Sequence, residues 1–239
     1  MSVGPPIRPP FLAFAIAFAV FHIAPAYLRA PVPFYPLLES GDVFDLVTPI
    51  VLVPLWGALF LGATPGTPKT RTMLIFLALA VLWTLGQGMH LTANSIGHLS
   101  RVAPESDVNR LAHFYDERLS HLLWYGATFA LTTLILAREA IHGAGGGPGS
   151  AAGAGLATAA LIHGITLFII IVEGQAGWIG VPFAVGVTLY GLRTGRRARI
   201  GRPVLRFFTL AYGTACVLFA IWGAYWRGLP EFSAVGIID

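Results

Sequence analysis

The sequence predicts an all-α integral membrane protein, a bundle of about seven transmembrane helices forming a single polytopic domain over residues 1–239. Three observations carry that expectation. The 239 residues are 56% hydrophobic and only 11% charged, whereas soluble domains carry about 25% charged residues. Together with a mean hydropathy of +0.73, this leaves too little polar surface for a fold surrounded by water. Apolar stretches recur at about 11–28, 44–62, 72–99, 111–137, 154–175, 177–192 and 205–226, most of them near the ~20 residues that a hydrocarbon core requires. Finally, the basic residues gather in short connections beside these stretches. That placement is a topology signal of membrane proteins and argues against nucleic-acid binding, despite a pI of about 9.6.

The first stretch follows "MSVGPPIRPP" and runs from Phe11 to about Tyr27. It is too apolar over too great a length for a cleaved leader, and no small-residue cleavage site follows it. It is expected to be the first span. "ATPGTPKT" separates the second and third stretches, and its prolines and glycine are turn formers. "HGAGGGPGSAAGAG" separates the fourth and fifth and reads as a flexible linker. Its glycines follow no strand and lack a P-loop Lys-Ser/Thr, which excludes nucleotide binding there. The sixth stretch is short and holds Pro182, a residue that removes a helix hydrogen bond. "LRTGRRARIGRPVLR" precedes the seventh; its arginines read as a topology determinant beside anionic headgroups. The single cysteine, Cys216, excludes a disulfide framework, a CxxC redox pair and a cysteine-held zinc site. The one lysine, Lys69, lies in a connection, so no retinal Schiff base forms in the last span. Trp222, Tyr225 and Trp226 fit an interfacial belt.

Polar residues stand out against this background. "GMHLTANSIGHL", residues 88–99, sets His90, Asn94 and His98 four apart. "LAHFYDERLSHLLWYG", residues 111–126, sets His113, Glu117 and His121 at the same step. Residues four apart share one helix face. Counted from the loop around Pro104, His98 comes level with His113, Asn94 with Glu117, and His90 with His121. The layers are about 6 Å apart at 1.5 Å per residue. Asp116 lies one residue off this face, and His22, His163 and Glu173 are further polar groups in apolar stretches. Ionisable side chains inside a bilayer are expensive, face the bundle interior, and mark functional sites.

Imidazole and carboxylate donors suit a divalent metal ion such as zinc, iron or copper. The expected metal ligands are His90 and His121, completed by Glu173 or His163, with His98 a further candidate. Glu117 is a ligand or general base, Asp116 an acceptor for a histidine N–H or a general base, and Asn94 orients a ligand or substrate. The Glu-x-x-His pairs of helix-bundle di-iron proteins are absent. His22 and His163 also fit packing residues bonded to a neighbour, and His98 and His113 fit hydrated positions near an interface. His142, in the Gly-rich connection, has no implied role.

Asn94-x-x-x-His98, followed by Asp116 in the next span, resembles the alkaline ceramidase and adiponectin-receptor group of seven-span zinc hydrolases. That group uses Ser-x-x-x-His, an Asp, and a His-x-x-x-His in its final span. Asn94 stands here at the Ser position and the last span holds no histidine, so the resemblance covers two helices. The expected function is a metal-dependent membrane enzyme acting on a lipid-like or otherwise hydrophobic substrate. Hydrolysis is favoured over oxidation, because the larger histidine complement of membrane desaturases is missing. Two alternatives use the same residues. One is a transporter or proton-coupled carrier with a His/Asp/Glu relay. The other is a haem b electron carrier with His90 or His121 paired with His163.

Charge sets the expected orientation. Arg8, Lys69, Arg71, Arg138 and the six arginines from Arg193 to Arg206 fall on one side of seven spans. Arg29, Arg101, Arg110, Arg118 and Arg227 fall on the other. The richer side is cytoplasmic by the positive-inside rule. The N-terminus is then inside, the C-terminus outside, and the polar ladders face the outer side of a bacterial-type inner or plasma membrane. Reporter fusions at Gly147 and Asp239 are expected in opposite compartments, Gly147 inside; finding both in one compartment would sink the seven-span count.

Overall fold

A computed structural model of the chain describes residues 9–100, 102–143, 153–194 and 201–237. Arg8, Arg101, most of the Gly-rich connection with Gly147, and Arg196, Arg197 and Arg199 lie outside the described residues. The architecture is an all-α bundle of membrane type. In order it comprises α1 (Phe11–Ile23), a 3-10 turn (Ala24–Tyr27), a small hairpin of β1 (Pro31–Val32) and β2 (Tyr35–Glu39), α2 (Ser40–Gly62), α3 (Thr70–Ser100), α4 (Asp107–His113), a π-helical segment (Phe114–Ser120), α5 (His121–His142), α6 (Gly153–Glu173), α7 (Gly177–Arg193) and α8 (Pro203–Trp226). α4, the π-segment and α5 form one continuous rod. Each apolar stretch of the sequence coincides with a helix. Five helical rods are long and apolar enough to cross a membrane: α2, α3, the α4–α5 rod, α6 and α8. α1 and the 17-residue α7 are shorter; helical backbone satisfies its own polar groups, as a bilayer demands. α7 continues through Pro182, and α2 through Pro49 and Pro54.

The core is aromatic. Phe14, Phe18, Trp56, Trp83, Phe207, Phe208 and Tyr212 are completely buried. The rings of Phe11 and Phe207 stack at 4.9 Å, and Trp56 meets Phe14 edge-on at 4.7 Å. α6 runs against α1 and α8, α7 against α8, and α3 against the α4–α5 rod and α2. By contrast α3 exposes Leu74, Leu77, Val81 and Leu85, as a helix facing hydrocarbon does.

Side chains define the two ends of the bundle. At one end, buried Arg138 donates to Thr64 Oγ1 (2.8 Å) and the Gly66 carbonyl (3.2 Å). Its guanidinium also sits 4.5 Å over the Phe60 ring. Its neighbour Glu139 accepts from the backbone N–H groups of Val204 (3.0 Å) and Leu205 (2.8 Å). These are orphan donors in the first turn of α8, where a carboxylate also complements the helix dipole. At the other end, α2 starts with a capping box: the Glu39 side chain accepts from the Asp42 backbone, and Asp42 Oδ2 accepts from the Glu39 N–H at 2.8 Å. Near it lie the 102–106 turn and the C-terminal segment, which Glu173 holds by accepting from Phe232 N–H and Ser233 Oγ–H, both at 2.8 Å.

Glu139→Ala leaves two buried N–H groups unpaired, at about 1–3 kcal/mol each. A clear fall in the thermal unfolding midpoint in detergent is expected. An unchanged midpoint would show that the carboxylate does not hold α8.

Candidate functional site

The site begins with a close approach of two helices. A Cβ on Gly86 would lie 2.8 Å from the Trp124 backbone nitrogen and 3.0 Å from the Ser120 carbonyl. Only glycine lets α3 and the α5 rod come this near. On one side of this crossing, Trp83 Nε1–H donates to Thr128 Oγ1 at 3.1 Å, both buried. On the other side, the rings of His90 and His121 lie 5.5 Å apart. Both pairs fall on the equal-distance count from the loop between the two helices.

Beyond His121 the count fails, and the π-segment explains why. Phe114–Ser120 winds with i→i+5 bonds, so each turn takes up more residues than an α-turn. The face toward α3 therefore shifts from Glu117 to Asp116. His90 Nδ1 sits 2.6 Å from Asp116 Oδ1. At this distance the two form a charge pair, and neither atom has a further hydrogen-bond partner. No hydrogen bond or ion pair joins Asn94 to Glu117 among the described residues. Glu117 Oε2 lies 3.9 Å from His121 Nδ1. That nitrogen also sits 3.1 Å from the Glu117 carbonyl oxygen. Donation to the carbonyl leaves Nε2 with its lone pair, the form in which a histidine acts as ligand or base. Ser120 Oγ–H donates to the Asp116 carbonyl.

Neighbouring groups complete the cluster. Asp45 of α2 is buried and accepts from Gln87 Nε2 at 3.1 Å, and both Asp45 and Glu117 lie within electrostatic reach of His90. The sequence reading passed over Asp45 and Gln87. The signal was present: Gln87 precedes His90 by three residues, on the same face, and Asp42 and Asp45 share that spacing in an apolar helix. Tyr125, one turn after His121, has its ring 5.7 Å from that histidine and donates its hydroxyl to the Ile170 carbonyl. The His90 side chain keeps 35% of its surface accessible and Asp116 17%, so the pair is reachable as well as deep.

The remaining candidates lie elsewhere. His98 Nδ1 pairs with Glu39 Oε1 of β2 at 3.5 Å, in a polar seam where Ser95 Oγ–H also donates to Asp42 Oδ1 at 2.9 Å. His113 and His142 are exposed. His22 sits with Nδ1 2.7 Å from the Phe18 carbonyl and its ring 4.8 Å from Trp124. His163 is completely buried, ringed by Phe14, Phe18, Phe207 and Phe208 at 4.6–6.1 Å, with neither nitrogen bonded. Glu173 is occupied by the C-terminal segment. The structure thus brings together His90, His121, Asp116 and Glu117, and holds His98, His163 and Glu173 in other contacts. Among the described residues no three His, Cys, Asp or Glu side chains form a group able to hold a metal ion. No known protein family, curated protein or solved structure matches the chain.

Replacing Gly86 by Val forces the two rods apart, an overpacking cost of roughly 1–3 kcal/mol. Gly88→Val, where an added Cβ meets nothing within 4 Å, serves as the matched control. The thermal midpoint is expected to drop for the first variant and to stay close to the parent for the second; equal behaviour would remove Gly86 as the determinant of the site.

Proposed function

We propose that the chain is a seven-span membrane enzyme acting on a lipid-like or otherwise hydrophobic substrate through the His90–Asp116–His121 cluster, with a divalent metal ion as cofactor. The basic Arg138 end is then cytoplasmic and the cluster opens toward the outer side. One observation carries the reading. His90 Nδ1 and Asp116 Oδ1 are buried, converge to 2.6 Å, and have no hydrogen bond to any other group. Beyond each other they have no partner, and an ionisable pair facing the bundle interior marks a functional site.

The donor set suits zinc, iron or copper. His90, Asp116 and His121 do not form a three-ligand group as they stand; a metal would have to draw them together, with Asp116 in the place that the sequence assigned to Glu173 or His163. The chemistry such a metal would supply is polarisation of an ester or amide carbonyl and a lowered pKa of water. Glu117, half-exposed beside His121, would take up a proton as general base. Gln87 holds Asp45 beside His90 and supports the histidine from behind. Hydrolysis remains the preferred class. The haem reading finds no support in the position of His163, whose ring faces phenylalanines. A proton relay is the second reading, favoured by the succession of Asp45–Gln87, His90–Asp116 and His121–Glu117 across one layer.

Elemental analysis of detergent-purified protein tests the first reading. Stoichiometric metal is expected, lost in His90→Ala and His121→Ala and retained in His142→Ala, with activity toward lipid esters or amides following the same pattern. Protein that carries no metal and takes up none on addition would overturn it. The relay reading would then lead, and the same histidines would control a pH-dependent flux in vesicles.

A further inference from the structure

A long groove lies on the bilayer-facing surface between α3 and α4, with a volume of about 1040 Å³. It is at the upper end of the ~300–1,000 Å³ range of small-molecule sites. Its lining on α3 extends from Leu77 to Ile96, about 28 Å of helix at 1.5 Å per residue, close to the ~30 Å of a hydrocarbon core. The floor is made by small residues, among them Ala80, Thr84, Gly88 and Thr92, one turn apart. A Cβ on Gly88 would meet nothing within 4 Å. Packing within the chain therefore does not demand a glycine there, and its effect is to deepen the groove.

The polar atoms of this floor are already used. Thr84 Oγ1–H donates to the Ala80 carbonyl and Thr92 Oγ1–H to the Gly88 carbonyl, both at 2.9 Å. Each threonine spends its donor on its own helix, and the groove offers hydrocarbon alone over most of its length. Its polar exception is the phenol of Tyr115, toward the α4 end. Tyr115 and Met89 line the groove, while their chain neighbours Asp116 and His90 make the charge contact. The groove thus runs alongside the cluster, on the lipid side of the same helix seam.

We propose that this groove binds one aliphatic chain of a membrane lipid, laid along α3 with its polar end at the level of Tyr115. The medium facing the groove supplies the occupant. A void against a bilayer forfeits the dispersion contacts of its walls, a groove whose threonine donors are already engaged selects hydrocarbon, and its length is more than enough for one chain, which spans about half of the ~30 Å core. The proposal rests on the enzyme reading only in making the bound lipid the substrate class: a long-chain lipid whose ester or amide linkage sits beside the His90–Asp116 pair.

The test uses full-length protein reconstituted with a phosphatidylcholine that carries a diazirine on one acyl chain. After photolysis, labelled residues are mapped by mass spectrometry. Label is expected within 77–96 and 108–115 at several times the level on the lipid-facing Val185 and Leu189 of α7. Gly88→Leu, which fills the floor, should cut that label several-fold. His90→Ala should leave it unchanged, which separates lipid binding from the metal and enzyme readings. Uniform labelling of all bilayer-facing helices would overturn the proposal, as would label insensitive to Gly88→Leu. So would cross-links across the groove to a second copy of the chain in place of lipid.

Discussion

The candidate site depends on the place where α3 and the α5 rod touch backbone to backbone at Gly86. A hydrophobic force does not drive helices together inside a bilayer, because lipid tails are as apolar as the side chains. Close packing takes over that role, and it needs small residues. Gly86 fixes the height at which the two rods cross. The Trp83–Thr128 bond and the His90–His121 approach follow on either side of that crossing. Without it, the two histidines are polar residues on separate helices.

The two ends of the bundle solve different problems. At the Arg138 end, one cation and one carboxylate, adjacent in sequence, tie down separate connections: Arg138 holds the 64–66 turn and Glu139 the start of α8. These are structural contacts, although Arg138 Nη1 stays buried without a hydrogen-bond partner. At the opposite end the polar groups outnumber the bonds between them. Asp42 and Glu173 are engaged in capping and docking, whereas the His90–Asp116 pair holds only itself.

Much of this was legible in the sequence. Apolar run length located the helices to within a few residues, since the bilayer imposes both composition and length. The four-residue spacing within each ladder, and the equal distance of His90 and His121 from the connecting loop, predicted their approach. What the sequence did not disclose was winding. The Asn94–Glu117 rung assumed α-helical phase through Phe114–Ser120, where the chain is π-helical. Residues far apart in sequence were also missed: Asp45 reaches Gln87 from another helix, and Glu173 is drawn off by Phe232 and Ser233. Such pairings depend on tertiary packing and leave no periodic trace.

The π-segment gives the neighbouring carboxylates an unusual relation. In a uniform α-helix, Asp116 and Glu117 point about 100° apart, and which of them meets α3 is settled once and for all by the helix face. Here the wider turn makes the choice. Were the segment wound as an α-helix, Glu117 would take the face toward α3 that Asp116 holds here. A change of winding there would exchange a short carboxylate for a longer one at that spot.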